Sequence, residues 1–116
     1  MKPGETEFLY LTTTGWRSGQ PRQIEIWFTR HDGRHYVIAE HLWETHWVQN
    51  VRADPRVSVR VGDDAFAARA RVIDPAAQPD LHQRVQELSE GKYGWGDGLV
   101  VELTPDPPAP ASGGLA

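Results

Sequence analysis

Alternation of apolar and polar residues is the clearest pattern along this chain. In RQIEIWFT (22–29), Ile24, Ile26 and Phe28 alternate with Gln23, Glu25 and Trp27. This period of two is typical of a strand with one face against a core. Alternation, β-rich composition and turn residues predict further strands at 7–13, 35–40, 56–61, 65–73 and 98–103.

Two segments have helical spacing instead. Trp47, Val48 and Val51 are spaced for one face of a helix, which is predicted to stop before Pro55 because the residue preceding a proline avoids the helical region. A longer helix is predicted over 79–91, with proline at its start and glycine placed to end it.

These elements predict a mainly β (α+β) fold, a six-stranded antiparallel barrel with one short and one longer helix at its rim. Residues 1–104 form a single domain in this interpretation, and the Pro/Ala/Gly-rich segment 105–116 is expected to be a disordered tail. A barrel of six strands encloses little space. A ligand is therefore expected in a surface groove or at a subunit boundary.

Composition narrows the class of protein. The 116 residues are 39% hydrophobic, enough for one modest core, and contain no Cys. The lack of Cys excludes disulfides, thiolate metal sites and a cysteine nucleophile, and it favours a reducing, cytoplasmic location. No apolar stretch has the length of a signal peptide or of a spanning helix, so no integral membrane segment is expected.

Charge is distributed unevenly along the chain. The net charge is −4, yet residues 15–71 carry nine Arg against seven acidic residues, whereas residues 72–116 carry two basic residues against seven acidic ones. A positive middle on an acidic protein favours a small anionic ligand and disfavours nucleic acid.

The turn TTTGWRSGQPR (12–22) is the first candidate site. Arg17 and Arg22 could each form paired hydrogen bonds to a phosphate or carboxylate, and the N–H groups of Ser18 and Gly19 could complete a nest for oxygen anions. A solvated hairpin turn without a ligand explains the same composition equally well.

The loop after the third predicted strand contains His41, Trp43, His46 and Trp47, and Asn50 follows it. Aromatic faces beside hydrogen-bonding groups suit a planar heterocycle, although either tryptophan taken singly is more often a plug at the end of a barrel. The histidine spacing fits no common zinc pattern, so no metal site is predicted.

A second aromatic segment, KYGWGDG (92–98), sets Tyr93 and Trp95 among glycines. It could close over a substrate, with the Tyr93 hydroxyl as a proton donor, or simply connect a helix to a strand. No nucleophile with a general base is found, so an enzyme of this sequence would depend on a bound cofactor.

Several segments together resemble the deazaflavin-dependent nitroreductase family, a branch of the split β-barrel flavin-binding superfamily. They are LTTTGWRSGQPRQIEIWF, GRHYVIAE, HWVQNVRADPRVSVRVG, ARARVI and LVVELTP, in unbroken order over about residues 9–104. The resemblance implies an FMN-binding-like, six-stranded split barrel that binds reduced coenzyme F420. It also implies hydride transfer to quinones, nitro compounds or other activated acceptors.

The resemblance also implies roles for particular residues. The phosphate and acidic tail of the coenzyme would lie against Arg17, Ser18, Gly19 and Arg22. The ring would lie against Ala39, Glu40, His41, His46, Trp47 and Asn50. Tyr93 would shape the substrate side, and solvent, Tyr93 or the loop residue His46 would supply a proton.

Three features depart from the family pattern. Trp16 stands where many members have a second basic residue, and the loop EHLWETH places His46 where a proline is common. The helical extension that often precedes the first strand is also missing. These departures keep open an FMN-binding reductase and a non-catalytic carrier of flavin, deazaflavin or haem. A homodimer is also compatible with so short a chain, because pairing would bury additional area.

Overall fold

The computed structural model describes residues 8–40 and 45–106. Along them lie β1 (Phe8–Thr14), β2 (Pro21–Trp27), β3 (Thr29–His31), β4 (Arg34–Ala39), α1 (His46–Ala53), β5 (Arg56–Val61), β6 (Asp64–Val72), α2 (Pro79–Tyr93) and β7 (Leu99–Pro105). The strands form one sheet in the order β2-β1-β5-β6-β7-β4-β3, and each paired neighbour is antiparallel. The predicted mainly β fold with two helices is confirmed.

The prediction of six strands is wrong at Phe28, which divides the segment 22–29 in two. On one side of Phe28, β2 pairs with β1, and on the other side β3 pairs with β4. The two edge strands of the sheet are therefore joined by a single buried residue, so the sheet must curl until its edges meet there. Alternation reports which face of a strand is buried, but it does not report a change of pairing partner.

The two edges separate again beyond this corner. The register of β3 ends at Thr29 opposite Tyr36, so the rest of β4, from Val37 to Ala39, has no strand partner on that side. The curled sheet is thus open between β2 and the end of β4. This opening positions the candidate site.

The main core fills the inside of the curled sheet. Strands β1 and β5 alternate between buried and more exposed residues, as the sequence predicts. The core residues supplied by these strands and by α1 are Leu9, Leu11, Trp47, Val48, Val51, Val57, Val59 and Val61. A smaller cluster, Tyr36, Ile38, Ile73, Val85 and Val100, packs α2 onto the outside of the sheet. Each fully buried aliphatic side chain contributes about 1.5–3 kcal/mol relative to an exposed one.

Helix α2 is longer than predicted. It continues through Gly91 to Tyr93, and Gly94 ends it with a φ of 76° and an N–H group that donates to the Glu90 carbonyl. Glycine adopts this left-handed conformation at little cost, so Gly94 and not Gly91 provides the C-cap. Tyr93 consequently lies on a helix and not in a mobile loop.

The last strand continues one residue past residue 104, the predicted end of the domain. Pro105 belongs to β7, where it lies opposite Ala68. The Asp106 N–H group donates to the Ala67 carbonyl, and the Asp106 carboxylate lies 3.2 Å from Arg69 Nε. The remainder of the predicted tail, 107–116, lies outside the described residues.

A buried histidine makes the fold sensitive to acid. His35 on β4 lies between the rings of Phe28 and Phe66, at centroid distances of 5.4 and 5.6 Å, and its Nε2 accepts a hydrogen bond from Arg30. Burial, together with the positive charges of Arg30 and Lys92, lowers the pKa of His35 to about 4. His35 is therefore neutral in the folded protein at neutral pH.

We expect the free energy of unfolding to fall as the pH falls from about 6.5 toward 4, because the unfolded chain then binds a proton that folded His35 excludes. Between about pH 7.5 and about pH 5, the wild-type protein should lose about 1–2 kcal/mol more than His35→Gln. Urea unfolding at both pH values measures this difference. His46→Gln, at an exposed position, should retain the wild-type pH dependence, and equal losses in wild type and His35→Gln would contradict the assignment.

Candidate functional site

A groove of about 560 Å³ occupies the opening between β2 and β4. We call it the aromatic groove, and its principal lining residues are Trp27, Thr29, Tyr36, Trp47, Tyr93 and Trp95. Trp47 comes from the start of α1, whereas Tyr93 comes from the end of α2. The split in the sheet therefore brings together side chains that are distant in sequence.

The wall of the aromatic groove is built from stacked rings. The rings of Trp27 and Tyr93 are parallel within 2° at a centroid distance of 4.5 Å, and Trp95 meets Trp27 edge-on at 6.4 Å. Trp27 is 46% exposed, an unusual position for a large aromatic residue in a small protein. An exposed, ordered aromatic surface of this kind suits a planar ligand.

Hydrogen bonds at the corner of the sheet hold this wall in place. The Tyr93 hydroxyl donates to the Phe28 carbonyl at 2.7 Å and accepts from the Phe28 N–H group at 3.0 Å. Lys92 Nζ donates to the same carbonyl at 2.9 Å. The Tyr93 proton, for which the sequence suggests a role in catalysis, is thus held by the backbone, and the hydrogen bonds orient the ring.

The buried hydroxyl of Tyr36 is also engaged in a hydrogen bond within the protein. It donates to Glu102 at 2.8 Å, and the other oxygen of Glu102 accepts from Arg71 at 3.1 Å. Burial raises the pKa of Tyr36 well above its ordinary value, and the hydrogen bond to Glu102 raises it further. Tyr36 therefore remains protonated and fixed at physiological pH.

Two threonines that line the aromatic groove have hydroxyl groups with no such partner among the described residues. Within the part of the chain that the structure describes, Thr29 Oγ1 and Thr45 Oγ1 are buried without a hydrogen bond. Thr45 is the N-cap residue of α1, yet its side chain does not cap the helix. Buried polar atoms are rarely left unpaired, so these hydroxyls are candidate ligand contacts.

A second groove, of about 380 Å³, adjoins the first. We call it the basic groove, and its principal lining residues are Trp16, Arg17, Ser18, Arg22, His46 and Asn50. The Arg17 guanidinium lies 4.5 Å from the Trp16 ring centroid, in a cation–π contact. Neither Arg17 nor Arg22 pairs with a carboxylate among residues 8–40 and 45–106, so both remain available to an anion.

Hydrogen bonds from Asn50 link the turn that carries Arg17 to α1. Asn50 Oδ1 accepts from the Trp16 N–H group at 3.0 Å, and its Nδ2 donates to Thr13 Oγ1 at 3.0 Å. The residue is only 5% exposed. Asn50, a predicted ligand contact, therefore has its amide engaged by the protein and holds the turn in position.

The predicted anion nest is only partly available. Gly19 has a φ of 71°, and its N–H group donates to the Gly15 carbonyl at 2.8 Å, so it closes the turn and does not line the basic groove. The Ser18 hydroxyl accepts from the Gln20 N–H group at 3.1 Å and keeps its own proton to donate. Of the residues predicted to form the nest, Arg17, Arg22 and Ser18 line the basic groove and have side chains that can donate to an anion.

The remaining predicted site residues divide between the two grooves. Ala39 and Glu40 line the aromatic groove, His46 lines the basic groove, and Trp47 lines both. His41 and Trp43 lie outside the described residues. The sequence interpretation missed Trp27 and Thr29, although a tryptophan on the polar side of an alternating strand could have indicated the first. No sequence signal marks Thr29.

Because Trp47 lines both grooves, the two grooves are adjacent, with aromatic walls in one and, in the other, two arginines that form no ion pair with the described residues. This combination defines a class of small β proteins suited to an elongated ligand with a planar ring and an anionic end. Among the described residues there is no cluster of three or more metal-ligating side chains, and neither helix is long and apolar enough to cross a membrane.

Comparison with known proteins identifies the family. Residues 3–97 match the model of the F420H(2)-dependent quinone reductase family, and the chain belongs to that family. An F420H(2)-dependent quinone reductase of Mycobacterium tuberculosis (strain ATCC 25618 / H37Rv) is 30% identical over 97 residues, covering 78% of this chain and 64% of the relative. The chain thus spans slightly less than two thirds of the length of the curated relatives it matches.

Solved structures have the same fold. An F420-H2 dependent reductase (FDR-A) superimposes with a TM-score of 0.67 and 23% identity, covering 84% of this chain and 92% of that one. A protein solved as a domain-swapped dimer gives a TM-score of 0.66 and 22% identity, with coverage of 84% and 78%. At this identity the likeness establishes the architecture of the sheet and helices.

Proposed function

We propose that this chain is a split β-barrel oxidoreductase that binds coenzyme F420 and reduces a quinone, a nitro compound or another activated acceptor. The observation that carries the proposal is that the basic and aromatic grooves lie side by side and share Trp47 as a lining residue. Family membership supports F420 as the cofactor.

The residues of the site fit this coenzyme, which has a planar deazaflavin ring and a tail bearing phosphate and carboxylates. Arg17, Arg22 and Ser18 would hold the anionic groups of the tail, because they line the basic groove and the two arginines pair with no carboxylate of the described residues. His46 lies at the same groove and would add a hydrogen bond there. Trp47 would separate the tail from the ring.

The ring would lie in the part of the aromatic groove nearest α1, against Ala39, Glu40 and Thr45. When bound, the reduced coenzyme supplies a hydride, which delivers two electrons and one proton to the acceptor, and a quinone then needs one further proton to become a hydroquinone. Because the Tyr93 proton is held by Phe28, we propose solvent at the open groove as the source of that proton.

The protein's own contribution would be binding and orientation. The stacked pair of Trp27 and Tyr93, with Trp95 against it, offers a rigid surface on which a flat acceptor can lie. Tight packing of the acceptor against these rings would also exclude water from the face of the acceptor that contacts them. A fixed wall of this kind favours flat aromatic acceptors over flexible ones.

A homodimer and a cytoplasmic location are parts of the same proposal. Strand β2 is at the edge of the sheet and its residues are largely exposed, so a second copy could cover it. The structural neighbour solved as a domain-swapped dimer supports this possibility at the level of the fold.

Fluorescence titration of the purified protein with coenzyme F420 tests the cofactor assignment, and oxidation of reduced F420 by menadione tests the activity. We expect saturable binding and turnover. Binding without turnover across a panel of quinones and nitroaromatic compounds would instead indicate a carrier. A yellow protein that releases FMN on denaturation would replace F420 by FMN, and copurified haem would indicate a haem carrier.

A further inference from the structure

We propose that the Thr29 hydroxyl is the hydrogen-bond donor that recognises an oxygen atom of the hydride acceptor, a quinone carbonyl or a nitro oxygen. The inference rests on the proposed function and assigns a specificity-determining residue to it. Thr29 begins β3, directly after the corner at Phe28, and it lines the aromatic groove.

Comparison of the hydroxyl groups that line the aromatic groove singles out two of them. Tyr36 donates to Glu102, Tyr93 donates to the Phe28 carbonyl, and Ser89 donates to the Trp95 carbonyl. Only Thr29 and Thr45 are without a partner among the described residues lining the groove. A ligand that needs a hydroxyl donor therefore finds it at one of these two threonines.

Because the Thr29 hydroxyl is buried, its lack of a hydrogen-bond partner among the described residues has an energetic cost. The residue is 5% exposed, and its Oγ1 is withdrawn from solvent. An unpaired buried hydroxyl destabilises a protein relative to a methyl group of similar shape, so valine would serve the fold better at this position. A ligand oxygen that completes the hydrogen bond accounts for the threonine.

The position of Thr29 indicates which ligand it contacts. Thr45 immediately precedes His46 and Trp47, where the aromatic groove meets the basic groove, so its hydroxyl is placed for the coenzyme. Thr29 lies beside Phe28 and opposite Tyr36 in the sheet, at the corner that holds Tyr93. That corner belongs to the stacked wall of Trp27 and Tyr93, where the acceptor would lie.

A donor at the acceptor oxygen also favours the reaction itself. The oxygen becomes more negative as the hydride arrives at the conjugated system, so a fixed hydroxyl binds it more strongly in the transition state than in the ground state. Removal of the hydroxyl should therefore lower kcat as well as weaken binding.

A comparison of two threonine variants tests the structural half of the proposal without any ligand. Thr29→Val should leave the Tm of the free protein unchanged or raise it by about a few degrees. Thr13→Val is the matched control, because the buried Thr13 hydroxyl accepts from Asn50, and its loss should lower the Tm. A fall in Tm for Thr29→Val as large as that for Thr13→Val would show a structural hydrogen bond and overturn the proposal.

The part of the proposal that concerns the ligand is tested by measuring menadione binding through the quenching of tryptophan fluorescence. Thr29→Val should weaken menadione binding by about three- to tenfold, the loss expected for one hydrogen bond, while its F420 affinity remains that of the wild type. Thr29→Ser should restore most of the affinity for menadione. Thr45→Val should show the reverse selectivity, with weaker F420 binding and unchanged menadione binding.

The outcomes separate this proposal from the proposed function. Unchanged menadione affinity and kcat in Thr29→Val, in a protein that binds F420 and turns over, would overturn the role of Thr29 alone. Weaker F420 binding with unchanged menadione binding would assign Thr29 to the coenzyme and also overturn it. Failure of the wild-type protein to bind either compound would overturn the proposed function and this inference together.

Discussion

Replacement of Arg17 or Arg22 by alanine is expected to weaken the binding of coenzyme F420 by about tenfold to over a hundredfold. Each guanidinium would lose a charge-assisted hydrogen bond to an anionic group, which contributes about 1.5–3 kcal/mol. Both side chains line the basic groove, and neither has an acidic partner in the described part of the chain to compete with the ligand. Fluorescence titration of each variant with F420 measures the change in Kd.

The control for this experiment must keep the same change in net charge. Arg84→Ala removes an exposed arginine from α2, where its neighbour is Glu87 on the helix surface, and it should bind F420 as the wild type does. Raising the salt concentration should weaken F420 binding by the wild type more than F420 binding by either turn variant. Salt screens the attraction between the arginines and the anionic ligand, and each variant has already lost part of that attraction. Wild-type affinity in both turn variants would eliminate the basic groove as the anion site.

Replacement of Glu102 by alanine is expected to cause the largest loss of stability, about 2–3 kcal/mol of unfolding free energy. Its side chain is 7% exposed and joins Tyr36 on β4 to Arg71 on β6. The variant would bury the Tyr36 hydroxyl without an acceptor, whereas Arg71 is half exposed and can be hydrated. Urea unfolding followed by circular dichroism gives the difference in free energy.

An exposed ion pair provides the comparison for Glu102. Asp54 and Arg56 form a close pair at the surface, with two side-chain hydrogen bonds of 3.0 Å. Pairs of this type contribute little because water screens them, so Asp54→Ala should leave the unfolding curve almost unchanged. Similar curves for Glu102→Ala and the wild type would show that the buried network does not stabilise the sheet.

Most of the fold was predictable because the pattern of burial is local. Alternation predicted that Ile24 and Ile26 point toward the core. The structure confirms this, because both side chains pack against the core while Gln23 and Glu25 are exposed. The end of α1 also follows from neighbouring residues, because Pro55 excludes further helix. Phe28 was the exception, because the partner of a strand is chosen by residues far away in sequence.

The candidate site was predictable only in part. Arg17, Arg22 and Trp47 were identified because charge and aromatic character are visible in the sequence, and all three line the grooves. Their roles stay predictions. The engagement of Tyr93 by Phe28 and of Asn50 by Trp16 could not be read from the sequence, because hydrogen bonds between residues more than thirty positions apart exist only after folding.

The sequence by itself determined a mainly β chain with two helices, a positively charged turn and membership of the F420H(2)-dependent quinone reductase family. Only the tertiary structure decided that Phe28 joins the two edges of the sheet and that Trp47 lines both the aromatic and the basic groove. It also decided that the Thr29 hydroxyl has no hydrogen-bond partner among the described residues. The physical reason is that residue types and spacing fix local conformation and burial, whereas a continuous site depends on how distant strands and helix ends come together.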